Sequence, residues 1–177
     1  MHRGPELCIT LSTNAEAADL VASLGLVPLP REGGYFASTW TSPVAGPEGR
    51  SCASAILFLI TAEDFSALHR LDRDEVWSFS GGDPAELVRL DPRTGADDTC
   101  ILGPEPVAGH RPQATVASGV WQGARIAAGR LAPRRGWTLV SCVVAPAWDE
   151  RAFELADRDT LIRVFPSHAE LIRALTR

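Results

Sequence analysis

A chain of 177 residues with 45% apolar content suits one globular domain with a real core. All seventeen basic residues are Arg, so Schiff-base enzymes and P-loop kinases, which need a lysine amine, are excluded. The Arg residues are dispersed and the net charge is −5, which offers no basic face to nucleic acid.

No apolar run reaches the roughly eighteen residues of a membrane span. The N-terminal stretch Met1 to Thr10 lacks the apolar core and small-residue cleavage site of a signal peptide. A cytoplasmic protein without nucleic-acid or membrane partners is the expectation. Cys8, Cys52, Cys100 and Cys142 form no CxxC pair and read as reduced, small buried hydrophobes.

In chain order, the first element is a helix. A side-chain oxygen at Thr13 or Asn14 can cap its free amides, Glu16 favours its first turn, and Gly25 ends it. Its apolar stripe is Leu20, Val21, Leu24 and Leu26. The turn Glu32-Gly33-Gly34 then leads into an alternating strand from Tyr35 to Trp40, and Pro43 to Arg50 is a Pro/Gly loop. Further short strands are expected over 53–61, 75–80, 85–90, 113–117, 125–128 and 138–145. Such regular spacing with turn punctuation indicates an all-β sandwich or barrel. Ser167-x-x-Glu170 reads as a capping box before a short C-terminal helix carrying Leu171, Ile172 and Leu175.

The stretch Leu68 to Gly82 holds the densest chemistry. His69 precedes the acidic pair Asp74-Glu75, and the strand that follows ends in Gly81-Gly82. Strand alternation puts Glu75, Trp77 and Phe79 on one face and Val76, Ser78 and Ser80 on the other. A buried Glu75 needs compensation from His69, from an Arg such as Arg70, or from a ligand. A structural Arg–Glu pair would satisfy the same physics. Asp74 reads as a turn residue or an Arg partner. Trp77 and Trp121 are residues more often found in a core than as stacking platforms for a ligand. Tyr35, the only tyrosine, needs a hydrogen-bond partner if buried.

Read together, Glu32-Gly33-Gly34-Tyr35-Phe36, His69-Arg70, Asp74 to Trp77, Gly82-Asp83-Pro84, Gly119 to Gln122, Cys142 to Pro146 and Phe165-Pro166 resemble small single-domain cupins of largely unassigned function, proteins often likened in shape to sugar-nucleotide epimerases. The resemblance covers about residues 20 to 167. Leu71 stands where the first cupin motif has its second His, Ala117 where the second motif has Pro, and Gln122 where it has His. Pro30-Arg31 replaces a usual His-Pro, Ala37 and Ser38 a usual Arg and Glu, and Ser78 and Ser80 usual His residues. The resemblance implies one cupin domain over 1–177, a double-stranded β-helix (jelly-roll barrel) with an N-terminal helix and a short C-terminal helix, assembled as a homodimer.

Three functions follow as expectations. The first is a cofactor-independent enzyme acting by proton transfer on a small oxygenated metabolite, as epimerase, isomerase, cyclase or dehydratase. His69 would be the base, Glu75 its assistant and Tyr35 an acid from the opposite side. Trp77, Phe79, Arg70, Gln113, Trp121 and Gln122 would bind the ligand. The second is a metabolite-binding cupin without catalysis. The third is a cupin with a weakly held divalent metal on His69, Glu75 and Gln122, an amide being a poor ligand beside imidazoles.

Overall fold

A computed structural model describes residues 14–46, 49–127 and 135–177. Met1 to Thr13, with Cys8, lie outside them, as do Pro47, Glu48 and 128–134. Helix α1 (Ala15–Leu24) begins where Asn14 accepts a hydrogen bond from the amide of Ala17 and ends at Gly25 in the left-handed region.

Among the described residues eleven strands follow: β1 (Val27–Pro28), β2 (Tyr35–Thr41), β3 (Ser54–Thr61), β4 (Ser66–Leu71), β5 (Asp74–Gly82), β6 (Ala85–Leu90), β7 (Asp97–Leu102), β8 (Gln113–Val116), β9 (Trp121–Ile126), β10 (Trp137–Ala145) and β11 (Phe153–Leu155). They form two antiparallel sheets, β1-β2-β3-β10-β5-β8 and β11-β4-β9-β6-β7, which close face to face as the cupin barrel. Sequence patterning missed β1, β4, β7 and β11 and began β9 four residues late. Asp97-Asp98-Thr99 at the start of β7 has no apolar alternation to read, and β11 exists only as a partner for β4.

The outer face of each sheet is covered by helix. Under α1, Tyr35, Leu59 and Trp137 pack with Ala17 and Leu26. On the other side, Leu68, Val88, Leu90 and Trp121 pack against Leu161, Phe165, Ile172 and Leu175, which lie in α2 (Arg158–Val164), α3 (Ala169–Ala174) and the residues that end them. The expected capping box does not form. Ser167 lies in a 3-10 turn with its hydroxyl 3.0 Å from Nδ1 of His168, and α3 starts without a side-chain cap. The capped helix is α2, where Asp157 accepts from the amide of Thr160.

The turn 29–34 is locked by backbone bonds between Leu29 and Gly34 and between Gly33 and Leu29. A Cβ on Gly33 would come within 2.5 Å of the Phe65 carbonyl oxygen, and one on Gly34 within 2.7 Å of that of Leu59. Only glycine lets this turn approach the barrel so closely. Its consequence is the placement of Glu32, 8% exposed, at the edge of the barrel interior.

Candidate functional site

Between the sheets lies a cavity of about 460 Å³. Register explains which side chains line it, because directly paired residues share a face. Across β2, β3, β10 and β5, one inward row is Thr41–Ser54–Val144–Glu75 and the next is Ser38–Ile56–Cys142–Trp77. The third is Phe36–Phe58–Val140–Phe79. The opposing sheet contributes His69 and Leu71 from β4 and Phe153 from β11, and the 29–32 turn adds Arg31 and Glu32. His69 and Glu75 therefore face each other from different sheets, although they are close in sequence and β4 runs almost directly into β5.

Gln122 on β9 joins them. It pairs in register with His69 and is 1% exposed. The indole N–H of Trp77 can only donate, and it lies 3.0 Å from Oε1 of Gln122. That contact fixes the amide: its Nε2 donates to Oε2 of Glu75 and lies 3.2 Å from Nε2 of His69. A primary amide nitrogen cannot accept, so His69 Nε2 carries the lone pair. Nδ1–H then donates to the carbonyl of Ala67 at 2.8 Å. His69 is thus a neutral imidazole with both nitrogens engaged, stacked 5.2 Å from the ring of Phe153. Glu32 lies 3.8 Å from His69 Nδ1 and accepts from the hydroxyl of Ser66 at 2.7 Å.

Glu75 is 7% exposed and forms no ion pair among the described residues. Burial raises its carboxyl to about 7, opposed by the charge His69 would carry when protonated and by hydrogen bonds from Gln122 and Trp77, while the charge of Glu32 adds to the rise. Burial, followed by Glu75 and Glu32, also pushes the Cys142 thiol well above its ordinary value.

The structure places the other sequence candidates elsewhere. Arg70 points outward on β4, pairs with Glu154 at 2.7 Å and covers the ring of Trp121 at 4.5 Å. Trp121 belongs to the apolar layer under α2 and α3. A strand that turns His69 inward must turn Arg70 outward, and likewise Gln122 and Trp121. Tyr35 is buried under α1, on the reverse face of its sheet from the cavity. Gln113 is exposed and donates to Ser78. Phe79 faces the interior but does not line the cavity. Asp74 accepts from the amide of Ser118. Sequence reasoning missed Glu32, Arg31 and Phe153 as cavity residues. The Glu32-Gly33-Gly34 block was the available signal for Glu32, whereas a three-residue strand gave none for Phe153.

The metal set implied by the cupin resemblance does not fit this arrangement. Oε1, the ligating atom of Gln122, is taken by Trp77, and the amide turns its N–H groups toward His69 and Glu75. Among the described residues no cluster of three His, Cys, Asp or Glu could hold a metal ion.

A family model described as cupin superfamily (DUF985) matches residues 18–156, and the chain belongs to that family. Among solved structures, it is similar to a hypothetical protein from Leishmania major at 32% identity and a TM-score of 0.83, covering 93% of this chain and 99% of that one. A structural-genomics protein from Shewanella oneidensis is similar at 31% identity and a TM-score of 0.82, with coverages of 94% and 99%. A dTDP sugar isomerase from Desulfovibrio desulfuricans, at 17% identity, a TM-score of 0.52 and coverages of 80% and 85%, shares the fold. No curated protein matches the sequence. No helix among the described residues is long and apolar enough to cross a membrane.

Proposed function

We propose that the cavity binds one small oxygenated metabolite and that Glu75 moves a proton to or from a carbon next to its carbonyl group, a step of the isomerase or epimerase type. The observation that carries this reading is the buried Glu75 carboxyl group on the cavity wall, among Ile56, Phe58 and Trp77, without an ionic partner among the described residues and with burial raising it to about 7. A base is most effective when its pKa lies near the working pH, and burial tunes a carboxyl group to that value. His69 holds both its nitrogens in hydrogen bonds and acts through Gln122, keeping the amide N–H aimed at Glu75. It is therefore a positioning residue, and the base role moves from His69 to Glu75. The same Gln122 N–H stabilises the carboxylate once the substrate or solvent has taken its proton.

The test is exchange of substrate C–H for deuterium in deuterated water, with a panel of keto sugars and cyclic ketones. Glu75→Gln is expected to slow exchange by about 10²–10⁴-fold with the fold intact. His69→Asn should slow it less. Undiminished exchange in Glu75→Gln, or ligand binding by the wild type with no exchange, overturns the proposal and makes this a binding module.

A further inference from the structure

Arg31 stands out on three counts. Among the described non-glycine residues it alone has positive φ, at 71°. The amide of Glu32 donates to the carbonyl of Pro30 at 2.9 Å, so Arg31 is the centre of a three-residue turn, a rare and strained conformation for a residue with a side chain. Its guanidinium lines the cavity, 5.7 Å from the centre of the Phe153 ring.

The third count is charge. Arg50, Arg70, Arg89, Arg125 and Arg177 each meet a carboxylate. Arg31, like Arg111, Arg158, Arg163 and Arg173, forms no ion pair among the described residues, but of these it alone lines the cavity. Among the described residues it is also the only Arg on the cavity wall, which carries the carboxyl groups of Glu32, Glu75 and Glu150. The His69 imidazole stacks on the Phe153 ring, and the Arg31 guanidinium also lies over that ring. The cavity wall thus carries both the Glu75 carboxyl group and the Arg31 guanidinium.

We infer that the ligand of this cavity carries an oxyanionic group, a carboxylate or a phosphate, and that Arg31 binds it while Glu75 faces the rest of the molecule. The inference rests on the cavity being the substrate site. A guanidinium presents paired donors matched to two oxygens of such a group. Its partner in the complex would be the ligand.

The experiment is titration calorimetry on the full chain with three probes: dihydroxyacetone, dihydroxyacetone phosphate and pyruvate. At least one anionic probe should bind about tenfold or more tightly than the neutral one, and comparison of phosphate with carboxylate identifies the group. Arg31→Gly, which suits a positive φ, should remove that preference without lowering the melting temperature. Arg31→Lys should keep part of it. Glu75→Gln should leave it intact while abolishing deuterium exchange. Equal affinity for neutral and anionic probes, no measurable binding of any probe, or a preference that survives Arg31→Gly overturns the inference. Anion-selective binding without exchange supports the anion site and overturns the proton-transfer reading alone. Exchange without anion selectivity does the reverse.

Discussion

Leu68 and His69 are neighbours on β4, yet they enter two different interiors. Leu68 is fully buried in the layer closed by α2 and α3, where Val88, Leu90, Ile172 and Leu175 leave no accessible surface. His69 faces a cavity of about 460 Å³, opposite a carboxyl group that burial disfavours in its charged form. The sealed layer supplies apolar burial at roughly 25 cal/mol per Å². The open interior forgoes part of that gain and keeps polar groups whose hydrogen bonds must all be met. The contrast separates the side of the sheet that holds the protein together from the side available for chemistry.

The largest expected effect breaks the sealed side. Ile172→Ala should lower unfolding free energy by about 2–5 kcal/mol, because the site is enclosed on all sides. Ile56→Ala, on the wall of the existing cavity, should cost clearly less. Urea denaturation of the pair measures the difference, and equal losses would contradict the comparison.

Next comes the pH dependence set by Glu75. Below about pH 4.5 its carboxyl is protonated in both folded and unfolded chains and does not affect stability. Between 4.5 and about 7 the unfolded chain ionises while the folded one does not, so stability falls as pH rises. Above 7 the folded carboxyl is ionised too, and the loss is complete at about 3 kcal/mol. Glu75→Gln should therefore stabilise the protein at pH 8 and flatten the profile, as followed by melting temperature between pH 4 and 8.

Trp77→Phe sharpens the account of the polar network. It removes the N–H that orients Gln122 and leaves a buried amide oxygen unpaired, at a cost of about 1–3 kcal/mol. The His69 imidazole then loses its fixed acceptor role, visible as a shift in its ring nitrogen resonances. The smallest effect is expected at the mouth, where Arg31→Gly should relieve the positive φ and raise stability by about 1 kcal/mol.

Much of the barrel was legible because its rules are local. Asn14 and Gly25 bracket α1 through capping and left-handed geometry, and Ala85–Leu90 reads as a strand from its pattern alone. The resemblance to cupins rested on motif order, which the Glu32-Gly33-Gly34 turn and the His69 to Gly82 stretch carry, and the family match spans both. Ser167 shows where local rules fail: the Pro-led 3-10 turn that contains it takes the geometry that a capping box would need.

The sequence by itself determined the period-two partition that puts Glu75 and Trp77 on one face, since side-chain direction follows from backbone geometry in any strand. It also made Gln122 stand in a ligand's place. Tertiary structure alone decided that Arg70 and Trp121 meet each other outside the cavity, that Tyr35 lies beneath α1, and that Phe153 and Arg31 complete the wall. It decided too which nitrogen of His69 holds the proton. These depend on which sheet each strand joins and on a hydrogen-bond chain from Trp77 through Gln122, contacts between residues 45 and 53 positions apart that no local pattern encodes.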